Sequence, residues 1–395
     1  MIVDSVKREA SINGNKTFYG LYCFNLPIRC WSKDSNYVFL SSPQKFNVKS
    51  YAVCLTTKTM TEIESSQKCS LSIVDVKENY LLVSKSTLVS PAQLFIAKFD
   101  PDSSNFKNLS FIKCTESFKI PNAEGLFYEE IEHSHETDES VKDFNFTFFG
   151  RKKDSIKSTP LIIDPHGGPP SVYSNFYDVK HAFFVLLGFD VLRVNYRGST
   201  GMGDDSLNYL LGKIGEVDTI DCVTAVDLAL KKYTWIDPYR VNLFGHSWGG
   251  YIVAQLSGQY PDKFKSAVLI NPSIDMASMY VTSDALDYYS SLSGCRPFEK
   301  DNKTSYKEFV QKMIDHSPIL YVDEVKIPTM LLSGSKDLRT PTSQSKLWYN
   351  RLTSNNVKTK LLVYDDDHML MKNEVEINYV INTALWFAEH NNVAL

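Results

Sequence analysis

One turn constrains this chain more than any other feature. Gly245-His246-Ser247-Trp248-Gly249 is a G-x-S-x-G run, with Val241 to Phe244 before it reading as a strand and Gly249 to Tyr260 after it reading as a helix. A strand-to-helix turn this tight has no room for side chains at its flanks, so glycine is needed there, and the turn lifts the Ser247 hydroxyl clear of the strand end. A serine so placed is a nucleophile only if a general base reaches it. Three histidines follow it: His316, His368 and His390. His316 precedes Ser317-Pro318, which reads as a helix-ending cap or a turn, and His390 lies in the last residues. His368 comes a short loop after the strand Lys360 to Tyr364, which makes it the expected base.

A base of this kind needs an acid to hold its tautomer and to stabilise the imidazolium. Asp337 stands in the loop Gly334-Ser335-Lys336-Asp337, just past the strand Pro328 to Leu332. Asp365, Asp366 and Asp367 compete for the role. They share one short loop with His368, so they are badly placed for the far ring nitrogen and are expected to form a solvated acidic rim. Acyl transfer also needs donors for a developing oxyanion. His166-Gly167-Gly168-Pro169-Pro170 follows the strand Leu161 to Ile163 and offers the Gly168 N–H, and the residue after the nucleophile offers the Trp248 N–H. No metal or organic cofactor is expected.

The organisation of the chain changes near Gly125. Residues 1–124 hold short alternating runs at Asn36 to Leu40, Lys49 to Leu55, Leu71 to Val76, Tyr80 to Ser84 and Gln93 to Phe99, with turn residues between them and no helical periodicity. Trp31-Ser32-Lys33-Asp34-Ser35 resembles a turn that opens propeller blades, with the Trp expected to fill a local core. At about 40–45 residues per blade, this region supplies two to three blades, too few to close a ring. From residue 125 to 395, strand and helix alternate, which predicts a mostly parallel sheet covered by helices on both faces.

Lys and Arg number 42 against 46 Asp and Glu, a net charge of −4 that argues against nucleic acid as a partner. No apolar run is long enough for a membrane span. Seven cysteines without a Cys-x-x-Cys pair, and no apolar leader in Met1 to Asn15, lead to a cytoplasmic expectation.

The motifs taken together resemble the prolyl oligopeptidase family of serine peptidases, and within it the acylaminoacyl peptidase branch. The resemblance runs through His166-Gly167-Gly168-Pro169, Asn195-Tyr196-Arg197-Gly198-Ser199-Thr200-Gly201, the turn around Ser247, Asp337 and His368. It extends to Asn271-Pro272-Ser273-Ile274-Asp275-Met276-Ala277-Ser278-Met279, to Ser317-Pro318-Ile319-Leu320-Tyr321 and to the region from Gly20 to Asp34. It implies an α/β-hydrolase fold over 125–395 preceded by an incomplete β-propeller over 1–124. It also implies a Ser247–Asp337–His368 triad that releases an N-acyl amino acid from blocked short peptides. A dipeptidyl or oligopeptidase, a carboxylesterase, and an inactive isoform acting as a binding or assembly partner are the competing readings. N-acylated peptides and a second copy of the chain are the expected partners.

Overall fold

The computed structural model describes residues 4–12, 16–65, 67–101, 106, 108–116, 118–137, 139–152, 158–295 and 304–394. The chain divides into two compact units. One comprises Met1–Glu130, Val172–Ala182 and Ser199–Asn208, and the other Ile131–Ser171, Phe183–Gly198 and Tyr209–Leu395.

The larger sheet has eight strands: β1 (Leu126–Ser134), β2 (Asp143–Arg151), β3 (Thr159–Pro165), β4 (Asp190–Asn195), β5 (Ile236–His246), β6 (Ser266–Ile270), β7 (Thr329–Gly334) and β8 (Thr359–Tyr364). Their spatial order is β1-β2-β4-β3-β5-β6-β7-β8. β2 pairs antiparallel with β4, and every pairing from β4 to β8 is parallel. Strands buried on both faces read as continuous apolar runs rather than alternating ones. Leu161-Ile162-Ile163, Ala267-Val268-Leu269 and Met330-Leu331-Leu332 are such runs, and all of these side chains are buried. β5 starts at Ile236, five residues before the expected Val241, because the polar stretch Asp237 to Arg240 hides its beginning.

The long connection between β6 and β7 holds helices Met276–Thr282, Leu286–Leu292 and Tyr306–Asp315; the first two were not anticipated, and the third ends at His316, where a helix end was expected. The first two are only seven residues long, too short for a periodic apolar stripe to stand out. In a parallel sheet the connections leave from the carboxyl ends of the strands, which is where sites form. Here the loops after β3, β5, β7 and β8 carry His166–Pro170, Ser247, Asp337 and His368.

The smaller unit is built on antiparallel sheets. Tyr37–Gln44, Asn47–Cys54 and Thr59–Ile63 form one, and Ser70–Lys77, Tyr80–Thr87, Ser90–Lys98 and Phe111–Lys113 form a four-stranded second. Ala10–Ile12 pairs with Lys16–Phe18. Tyr37, Phe39, Ile63, Leu81 and Val83 join one core with Phe99 and Phe106, the Phe39 and Phe99 rings standing 4.9 Å apart. Thr59–Ile63 escaped the sequence reading because Thr-Met-Thr-Glu-Ile carries few apolar positions. These two blade-like sheets are the incomplete propeller, and the eight-stranded sheet is the α/β-hydrolase. The turn at Ser32 is held by Tyr37 N–H donating to Ser32 Oγ at 2.9 Å and by Ser32 Oγ donating to Asp34 Oδ1 at 2.5 Å. Trp31 does not fill a core: it is 51% exposed, while its backbone bridges to Val38.

Candidate active site

Ser247 sits at the end of β5 with φ 59° and ψ −117°, a strained backbone for a residue with a side chain. The turn is possible because of its glycines. A Cβ on Gly245 would lie 2.3 Å from Gly249 O, and one on Gly249 would lie 2.2 Å from Pro165 O. Ser247 N–H donates to Ile270 O at 2.8 Å, which ties the turn to the neighbouring strand.

Ser247, His368 and Asp337 form one hydrogen-bonded chain. His368 Nε2 is 2.8 Å from Ser247 Oγ, and His368 Nδ1 is 2.6 Å from Asp337 Oδ2. The carboxylate can only accept, so Nδ1 carries the hydrogen and Nε2 is left to accept from the serine. Asp337 is buried and over-determined. Its Oδ1 accepts the N–H groups of Arg339 and Thr340, both at 2.8 Å, and Thr340 Oγ1 donates to its Oδ2 at 2.9 Å.

Residues that the motifs contain but to which they assign no role fix the backbone under the base. Asn271 Nδ2 donates to His368 O at 2.8 Å while its Oδ1 accepts Gly334 N–H at 2.9 Å. His246 Nε2–H donates to the same His368 carbonyl at 2.7 Å. Asn271 directly follows β6, and His246 is the unspecified residue before the serine. Their positions beside strand ends were the available signal.

The loop after β3 packs against the nucleophile turn: a Cβ on Gly167 would lie 3.1 Å from His246 O and 3.5 Å from Ser247 Cβ. His166 is buried and stacked on Tyr196 at 4.4 Å. Burial pushes its pKa down to about 4, so the ring is neutral, and Nδ1–H donates to Gly167 O at 2.6 Å. That carbonyl belongs to the peptide group whose other end is the Gly168 N–H. Holding one end directs the other. Gly168 has φ +124°, a conformation open to glycine. Trp248 is buried and stacked on Tyr251 at 4.2 Å, so its side chain is committed to packing while its N–H opens the helix Trp248–Gln259.

The three aspartates before His368 do not form one solvated rim. Asp366 is 6% exposed, and its carboxylate accepts the N–H groups of Asp367 at 2.9 Å and Lys372 at 3.0 Å, so it organises the loop. Asp365 is exposed and pairs with Lys336 at 2.7 Å and Lys372 at 3.2 Å, contacts that hold it below the ordinary carboxylate range. Asp367 is exposed and accepts Met369 N–H at 3.0 Å. His316 caps the helix Tyr306–Asp315 and bonds Ile214 O at 3.0 Å, away from Ser247's partners.

This arrangement can deprotonate a serine, and the glycine loop after β3 lies against it. Residues 175–393 match the Prolyl oligopeptidase family, Peptidase_S9. The chain belongs to this family of peptidases. It is 32% identical to the acylamino-acid-releasing enzyme of Mus musculus, an alignment covering 99% of this chain and 53% of that protein. The Homo sapiens enzyme gives 32% with the same coverage. The chain thus spans about half the length of these relatives. Among solved structures, the acylaminoacyl peptidase of Pyrococcus horikoshii is similar with a TM-score of 0.75 at 19% identity, covering 89% of this chain and 54% of that one, a likeness of fold. Among the described residues, no helix is long and apolar enough to cross a membrane.

Proposed function

We propose that the chain is a serine hydrolase that releases an N-acyl amino acid, commonly N-acetylated, from the N-terminus of blocked short peptides. The observation that carries this is the Ser247–His368–Asp337 chain at 2.8 and 2.6 Å on a strained elbow. The likeness to acylamino-acid-releasing enzymes over 99% of the chain supports the substrate class. In this reading His368 Nε2 takes the Ser247 proton as Oγ attacks the carbonyl of the acylated residue. The Gly168 and Trp248 N–H groups receive the oxyanion. Collapse breaks the C–N bond, and His368 returns its proton to the leaving amine. Water, deprotonated by the same ring, then frees the N-acyl amino acid and restores Ser247. No step calls for a metal or an organic cofactor.

The same reading divides the chain at residue 124 into a partial propeller (1–124) and the peptidase domain (125–395). It places the protein in the cytoplasm, supported by seven unpaired cysteines. Self-association is part of it, supported by Phe24, Leu26, Ile28 and Trp31, exposed within one short stretch.

The test is labelling of the full chain with a fluorophosphonate, with Ser247→Ala as control, alongside turnover of acetyl-alanyl anilide, a free dipeptidyl anilide and a simple ester. Preferred turnover of the acetylated anilide is expected. Preference for the free dipeptide or the ester would replace the acylaminoacyl reading, and absence of labelling would leave the binding-partner reading.

A further inference from the structure

Two adjacent tyrosines lie on the helix Leu286–Leu292, and their hydroxyls go to different loops of the site. Tyr288 OH donates to Gly168 O at 2.5 Å. Tyr289 OH donates to Arg339 O at 3.2 Å, two residues past Asp337. The start of this helix is bound to the Asp337 loop by three more contacts. Ser283 Oγ donates to Arg339 O at 2.7 Å, Asp284 N–H donates to Leu338 O at 2.9 Å, and Arg339 Nε donates to Asp284 Oδ1 at 2.6 Å. Arg339 N–H in turn reaches Asp337 Oδ1. The helix is therefore anchored on the acid side and extends one hydroxyl to the oxyanion side.

Gly168 is the residue for which such a tether matters. A glycine has no Cβ to restrict φ and ψ, so its peptide planes turn freely unless something holds them. The carbonyl before Gly168 is held by His166, which sets the N–H direction. The carbonyl after it is held by Tyr288. With both planes fixed, the φ of +124° is locked. Burial raises the Tyr288 phenol well above its ordinary pKa, so the hydroxyl remains a donor across the working pH range.

We infer that Tyr288 is a positioning residue: through the Gly168 carbonyl it aims the Gly168 N–H at the oxyanion, and the helix Leu286–Leu292 thereby couples the oxyanion loop to the Asp337 loop. The inference rests on the peptidase reading above. Loss of an oxyanion donor outright lowers kcat by about 100- to 1000-fold. A donor that is present but free to swing should cost about tenfold.

The experiment compares wild type, Tyr288→Phe and Tyr289→Phe in the full chain. Each is measured for kcat and KM on acetyl-alanyl p-nitroanilide and for inhibition by N-acetyl-alaninal. With the aldehyde, Ser247 Oγ bonds to the carbonyl carbon, its proton passes to His368, and the carbonyl oxygen becomes the oxyanion. For Tyr288→Phe we expect kcat about tenfold lower, KM within about twofold, aldehyde inhibition weakened by the same tenfold, and an unmoved acidic limb of kcat/KM. Tyr289→Phe, which leaves Gly168 O bonded, should keep the wild-type ratio of aldehyde inhibition to KM. Unchanged kinetics in Tyr288→Phe, a rise in KM alone, or an equal loss of aldehyde affinity in Tyr289→Phe would each overturn the inference. A wild type that neither reacts with fluorophosphonate nor turns over any substrate overturns the peptidase reading, and this inference with it.

Discussion

Asp218 lies in the first turn of the helix Val217–Lys232 and is fully buried. Its Oδ1 accepts the N–H groups of Gly215 at 2.8 Å and Thr219 at 3.0 Å. Burial first, and the charge of Asp221 besides, push its pKa up from 3.8 to about 7, against the pull of the two N–H groups and of the Trp248 side chain. Below pH 3.8 the carboxyl is protonated in both folded and unfolded chains. Between 3.8 and about 7 the unfolded chain releases a proton that the folded chain keeps, so stability falls as pH rises. Above about 7 the loss is complete, on the order of 4 kcal/mol at about 1.4 kcal/mol per pH unit. His166 runs the opposite way. Its folded pKa of about 4 lies below the ordinary 6.5, so its contribution is present above 6.5 and is lost as pH falls toward 4. The wild-type curve mixes the two; a difference between variants isolates one. Asp218→Asn keeps an acceptor for Gly215 and Thr219 but cannot ionise. Its buried amide costs about 1–3 kcal/mol if unpartnered, and that offset does not depend on pH. Urea unfolding followed by tryptophan fluorescence at pH 5, 6, 7, 8 and 9 should show the variant gaining on wild type by a few kcal/mol between pH 5 and 9. A difference that stays flat across this range would refute the argument.

Ser247→Ala and His368→Ala should each remove turnover by about a millionfold, because the members act as a unit; Asp337→Asn should cost about ten-thousandfold in kcat, read by anilide hydrolysis. Asn271→Ala removes one of the two donors to the His368 carbonyl and the acceptor of Gly334 N–H, and should lower kcat and the rate of fluorophosphonate labelling alike, by about tenfold. Asp366→Asn should destabilise the loop bearing His368 and lower the Tm, whereas Asp365→Asn, which breaks only exposed pairs with Lys336 and Lys372, should move the Tm little. The exposed stretch Phe24 to Trp31 should make the isolated chain associate; light scattering after size-exclusion chromatography is the measurement, and a stable monomer would refute self-association.

What could be read from the residues was whatever chemistry is local. The elbow was legible because Gly245 and Gly249 flank Ser247 within five residues, and the clashes that a Cβ would make there explain both glycines. Asp337 and His368 were legible as loop residues after apolar strands, and the structure brings both to Ser247. The supports of those loops were not, because each bond spans a long stretch of chain. Asn271 is 97 residues from the His368 carbonyl it holds, His246 is 122 from it, and Tyr288 is 120 from Gly168. No periodicity or motif spacing records such a partner; it follows from the order in which strands lie in the sheet. β6 lies between β5 and β7, so the residue that leaves it must pass between the serine and acid loops. Asn271 is that residue, and it reaches Gly334 with its oxygen and His368 with its nitrogen. The same logic explains why Asp366 was misjudged: three adjacent aspartates suggest a solvated surface, yet the loop needs an acceptor for two N–H groups, and the middle carboxylate turns inward to supply it. Sheet order, more than local composition, decides which polar residues of this chain become structural and which face the substrate.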